Sequence, residues 1–141
     1  MSKLHVSTRE LRKGFRVLRQ ALEHHGTRAS SPPGADALLL GLYALECGLK
    51  LLLLQKRGVH STSALDVDDA FFTHDLNRLL VEAGARPRFR TDRAQRPPDT
   101  PVAPKQLHEL YRYGGRLGRA VERYLSETLV DLFRFIEENV S

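Results

Sequence analysis

Six histidines are the groups in this chain best suited to trade protons near neutral pH. His24 and His25 stand beside Gly26 at the end of a helical pattern, where the helix dipole favours an imidazolium. As metal ligands they lack a carboxylate or cysteine partner at diagnostic spacing. His74 precedes Asp75 and Leu76 at the start of another helical pattern. Asp75 then falls in a first turn, where the dipole favours its charge, and His74 sits near the cap, within reach of another helix. Orienting helices suits that histidine better than catalysis.

Other catalytic templates are missing. The chain has no Gly-rich phosphate loop, no nucleophile elbow, no paired-histidine zinc helix and no cysteine pair. Asp66-Val67-Asp68-Asp69 lacks the glycine and closing glutamate of a calcium loop, so it reads as solvated charge or helix-start acids. The single Cys47 rules out an intramolecular disulfide and fits a reducing cytoplasm; inside a leucine run it reads as a packed thiol. No metal or cofactor is expected.

Charge suggests what kind of partner to look for. The net charge is +5, unevenly spread. Residues 1–33 carry seven Lys/Arg against two acids, residues 34–83 four against seven, and residues 84–104 five arginines against two aspartates. Basic ends around an acidic middle suit an anionic partner, a self-complementary oligomer, or solvated surface alone. Arg9, Arg12, Arg16 and Arg19 follow one helix face and could track a phosphate backbone, although no aromatic is interleaved among them for base stacking. Arg86, Arg88, Arg90, Arg93 and Arg96 lie in residues 85–104, which also hold five prolines. That stretch reads as a flexible loop, either a phosphate-contacting arm or an insertion between helices.

These residues must be positioned by helices. Ala37–Leu54 carries only Glu46 and Lys50 as charges, so a helix over about 35–57 is apolar nearly all round and must be surrounded by other helices. Pro32 and Pro33 suit its start, and Gly58 suits its stop. At roughly 100° per residue, Ala37, Gly41, Ala44 and Gly48 form one narrow stripe for close helix packing or dimerisation. Glu46 and Lys50 lie opposite, spaced i to i+4, as a surface pair or a semi-buried pair that fixes orientation. A membrane span is rejected, because two mid-segment charges would each cost about 2.5–3.5 kcal/mol.

Ser7-Thr8-Arg9-Glu10 is a capping-box pattern opening a helix that buries Leu11, Phe15, Leu18 and Leu22. A short helix runs from about Phe71 or His74 to Ala83. After Lys105 the helical period returns to about Tyr113 and again from about Arg116 to Glu138, with Gly114-Gly115 as the break. No segment alternates like a strand next to a hairpin turn, so the 141 residues read as one all-α domain. The polar, basic stretch from Ser2 to Arg19 does not read as a secretory leader.

Two stretches together carry a resemblance. Tyr43–Leu54 (YALECGLKLLLL), followed after a gap by Thr73–Gly84 (THDLNRLLVEAG), resembles small bacterial proteins of the HEPN (higher eukaryotes and prokaryotes nucleotide-binding) type. Glu46, Lys50, His74, Asp75 and Leu76 match that pattern, and Arg112-Tyr113-Gly114 is similar to the Arg-Tyr step before the last long helix of many members. The resemblance implies an up-and-down bundle of four to five helices, commonly a homodimer. Many members are metal-independent RNases of toxin–antitoxin, CRISPR and phage-defence systems. Their active site is an Arg followed after four to six residues by a His, usually late in the chain.

Here only Arg19 with His24 or His25 fits that spacing, and both pairs lie in the first helix. Five residues along a helix turn through about 140°, which separates Arg19 from His24. The expectation is therefore a cytoplasmic, dimeric, non-catalytic HEPN-like protein. It would bind RNA, or a partner protein from a neighbouring gene, in a defence or toxin–antitoxin setting. The alternative is a metal-independent endoribonuclease using Arg19 with His24 or His25, or His74. A third reading is an assembly subunit without nucleic acid.

Overall fold

In the computed structural model the second helix, α2 (Ala35–Lys56), is the axis of the molecule. The structure describes residues 6–26, 34–65, 70–86, 89–90 and 92–140. The acids at 66–69, the prolines at 32–33, Arg88, and the side chains of His25 and Arg96 lie outside what it describes.

Helix α2 starts after Gly34 and ends at Gly58, whose φ of +67° is a left-handed stop that glycine adopts without a Cβ penalty. It is long and apolar enough to cross a membrane, but 72% of its most apolar window is buried inside the protein. Its neighbours are α1 (Thr8–Gly26), α3 (Leu76–Glu82), α4 (Leu107–Arg112) and α5 (Arg119–Asn139). The capping box forms as expected: the Glu10 N–H donates to Ser7 Oγ at 3.2 Å, and the Ser7 N–H donates to Glu10 Oε1 at 3.1 Å. Asp75 caps α3 by accepting from the Asn77 N–H.

Residue pairings fix the directions. Gly14 faces Cys47 and Leu22 faces Gly41, so α1 runs antiparallel to α2. Gly41 also faces Leu129 and Gly48 faces Ile136, so α5 runs in the same sense as α2. Strict up-and-down alternation is corrected at α3, which follows α2 in the same sense, since His74 before it meets Glu46 and Glu82 at its end meets Lys56. The connection after Lys56 carries the chain back to His74, beside Glu46, and α3 ends with the Glu82 carbonyl accepting from Lys56 Nζ.

The small-residue stripe lies inside the protein. A Cβ on Gly48 would come 2.6 Å from Ile136 Cδ1 and 2.9 Å from Phe15 Cδ1, closer than carbons can sit, so only hydrogen lets α1 and α5 approach there. Ala37 and Ala44 are buried in the same core. Of the two uses expected for the stripe, the structure shows close packing within one chain.

Residues 85–104 are corrected from a flexible loop to partly strand. The strand β1 (Asp92–Arg96) pairs antiparallel with β2 (Pro101–Val102), Asp92 opposite Val102, and with β3 (Arg116–Leu117), Ala94 opposite Leu117. Pro97 and Pro98 occupy the turn and Pro101 the outer strand, where a missing N–H costs little. Each strand contributes one fully buried side chain, from Ala94, Val102 and Leu117. The fold is thus mostly helical with a small three-stranded sheet.

Candidate functional site

Glu46 is the hub of a polar cluster on the otherwise apolar α2. Its Oε2 accepts from Lys50 Nζ at 3.2 Å, one helical turn on. Its Oε1 faces His74 Nδ1 at 3.3 Å and His108 Nε2 at 3.5 Å. Lys50 is nearly buried and its ammonium lies 5.0 Å from the Phe71 ring centroid, a cation–π contact. The pair expected from spacing is thus of the semi-buried kind. It ties α2 to the segment before α3 and to α4.

His108, from α4, is 5% exposed and stacks on Tyr43 with ring centroids 5.0 Å apart. Neither ring nitrogen makes a hydrogen bond within the protein, and the 3.5 Å approach to Glu46 is an electrostatic contact. Burial pushes its pKa below the ordinary 6.5, against the opposing pull of Glu46. It is a neutral, water-excluded ring at neutral pH. His74 is the opposite case, with 77% of its side chain exposed.

One turn beyond His108, Arg112 donates from both Nε and Nη2 to the Tyr43 phenol oxygen, with its guanidinium carbon 5.9 Å from that ring's centroid. Tyr113, next in the chain, is 79% exposed. The expected motif residues Glu46, Lys50, His74 and Arg112 therefore meet around one place on the molecule. Asp75 serves as the α3 cap instead.

The first helix builds a second candidate site. Arg12, Arg16 and Arg19 line a cleft of about 290 Å³ with Phe15, Leu51, Val140 and Glu137. Arg19 is committed there: it pairs with Glu23 and Glu137, and lies over Phe15 and Phe133 at 5.1 and 5.7 Å. Burial opposes its charge, but the hydrogen bonds that Arg19 donates to Glu23 and Glu137 outweigh it and raise the pKa. Arg9 and Arg16 are exposed. His24 is exposed on the same helix.

The described arginines of the 85–104 stretch differ in setting. Arg86 and Arg90 are exposed, Arg93 donates to the Asp99 carbonyl across the hairpin turn, and Arg96 lies in β1. Arg90 rims an apolar cleft of about 280 Å³ floored by Phe89, Leu107, Leu117 and Leu125.

Three side chains of these clusters are not singled out by the sequence: His108, Tyr43 and Glu122. His108 and Arg112 are four apart on α4, and Tyr43, Glu46 and Lys50 fall on one face of α2; that double i, i+4 pattern was the available signal. The third is Glu122, 2% exposed, which accepts from Arg116 Nε at 3.0 Å, from the Tyr111 hydroxyl at 3.0 Å and from the Leu117 N–H at 3.2 Å. Burial, then the Glu122 charge, pushes the Tyr111 pKa up. Among the described residues no three His, Cys, Asp or Glu side chains are arranged to hold a metal ion. No protein-family model, curated protein or solved structure matches this chain.

Proposed function

We propose that the protein is a HEPN-like helical module that works as a cytoplasmic homodimer and binds RNA without cutting it. A bacterial defence or toxin–antitoxin system is the setting the resemblance implies. The observation that carries the reading is the meeting of Glu46, Lys50, His74 and Arg112, which are scattered in sequence, around one carboxylate and one phenol. A family motif behaves that way when it builds a site.

Binding is favoured over cleavage because the candidate proton carriers are poorly supplied. His108 has its nitrogens out of water, and Arg19 is held by two carboxylates. The exposed Arg9 and Arg16 on α1 support an anionic partner along that helix. Fluorescence anisotropy with a labelled single-stranded RNA tests this. Affinity should fall about tenfold or more between about 50 and 200 mM salt, and Arg9→Ala/Arg16→Ala should flatten that dependence. Salt-insensitive capture of a protein partner with no RNA binding would point to an assembly subunit instead.

One observation favours a second reading. His74 is exposed and faces the Glu46 carboxylate, an arrangement that orients a general base, with the Arg112 cation on the same side of the molecule. On that reading the protein is a metal-independent endoribonuclease, and cleavage in EDTA should vanish in His74→Ala.

A further inference from the structure

We propose that Arg112, held by the phenol of Tyr43 and flanked by Tyr113, is the docking point for a phosphate ester of single-stranded RNA. This rests on the RNA-binding reading and names a contact point away from the α1 cleft.

Two of the other arginines already hold carboxylates. Arg19 is neutralised by Glu23 and Glu137, and Arg116 is gripped by Glu122 through two nitrogens. Arg112 is exposed, and among the described residues no carboxylate pairs with it. The acceptor it holds is a neutral phenol oxygen, that of Tyr43. A guanidinium carries five donors, and the Tyr43 oxygen takes two of them. The Tyr43 phenol holds the fork in place without cancelling its charge. Donors remain on its outer edge for a planar, two-pronged acceptor.

The surroundings select among anions. Lys50 and Glu46 offset each other, so the Arg112 charge dominates locally, with His74 on the same side; both act electrostatically on His108. A carboxylate would satisfy the fork alone. The adjoining Tyr113 ring, 79% exposed, offers a face on which a base can stack, which favours a nucleotide phosphate over an acidic side chain.

The test measures anisotropy of labelled single-stranded RNA with wild type, Arg112→Ala, Arg112→Lys, Tyr113→Ala and Arg9→Ala/Arg16→Ala. Circular dichroism melting should be the same for the Arg112 variants and wild type, since the side chain is exposed. Arg112→Ala should weaken binding about tenfold and lower the salt slope by about one. Arg112→Lys should recover little, because a point charge cannot fork. Tyr113→Ala should weaken binding several-fold, and the Arg9/Arg16 loss should multiply with that of Arg112. RNA binding that is unchanged in Arg112→Ala overturns this inference and leaves the RNA reading intact. If wild type binds no RNA at low salt, the RNA reading falls. The Arg112 Nε–H resonance titrated with AMP then decides: a saturable shift keeps the phosphate site, and no shift overturns it.

Discussion

Glu46 shows how one side chain can organise a region. Its two oxygens face Lys50, His74 and His108, so α2, the segment before α3 and α4 meet at a single carboxylate. His108 gives this region a pH dependence whose sign follows from burial. Its folded pKa lies below the unfolded value of 6.5, so the unfolded chain takes up the proton first. The His108 contribution is intact above 6.5 and is lost as pH falls from there towards the folded pKa. Urea unfolding at about pH 7.5 and about pH 5.5 should show a stability loss on acidification. His108→Phe, which keeps a ring against Tyr43, should remove part of that loss; an unchanged slope would mean that His108 does not titrate this way.

Glu122 makes a harsher prediction at the same scale. Glu122→Ala strands the buried Tyr111 hydroxyl and the Leu117 N–H, and should cost about 3–5 kcal/mol in urea unfolding. A loss below about 1 kcal/mol would show that the cluster is already hydrated. The Glu46–Lys50 pair was legible because i, i+4 spacing is local. The Glu122 cluster was not, because its partners Tyr111 and Arg116 lie across the α4–α5 break and only the fold makes them neighbours.

At the level of elements, α2 explains most of what the sequence disclosed. A run apolar on every side has one use in a small domain, and its length, its stop at Gly58 and its buried position all follow. What the run conceals is which helices touch it. Gly48 settles one contact, since α1 and α5 both press on its missing side chain. Gly48→Ala should therefore lower the melting temperature. Overpacking at about 1–3 kcal/mol outweighs the roughly 1 kcal/mol that alanine gains in helix propensity. A raised melting temperature would mean that the helices can separate at little cost. The sheet was hidden for a different reason. Two-residue strands are too short to alternate, and five prolines masked a hairpin whose prolines sit only where no ladder N–H is needed.

Over the whole molecule, long-range topology was the least legible feature. Periodicity gives helices but no directions, and α5 running alongside α2 in the same sense depends on the returning connection after Lys56. Among the described residues, the α1 face and the Arg112 surface are two of the places that carry exposed cations, on a chain of net charge +5. Dimerisation through the small-residue stripe would need a surface that the fold has already used. Gly41→Leu should accordingly act on folding: its side chain would collide with Leu22 and Leu129, and unfolding would be seen by circular dichroism at any protein concentration. A well-folded Gly41→Leu protein with altered mass would return the stripe to the interface.

The most direct measurement is incubation of labelled single-stranded RNA with the protein in EDTA, reading anisotropy and then fragment length from the same sample. The account predicts saturable binding that weakens steeply with salt and leaves the RNA intact. Cleavage that disappears in His74→Ala would contradict it and make the Glu46–His74 pair the centre of a nuclease.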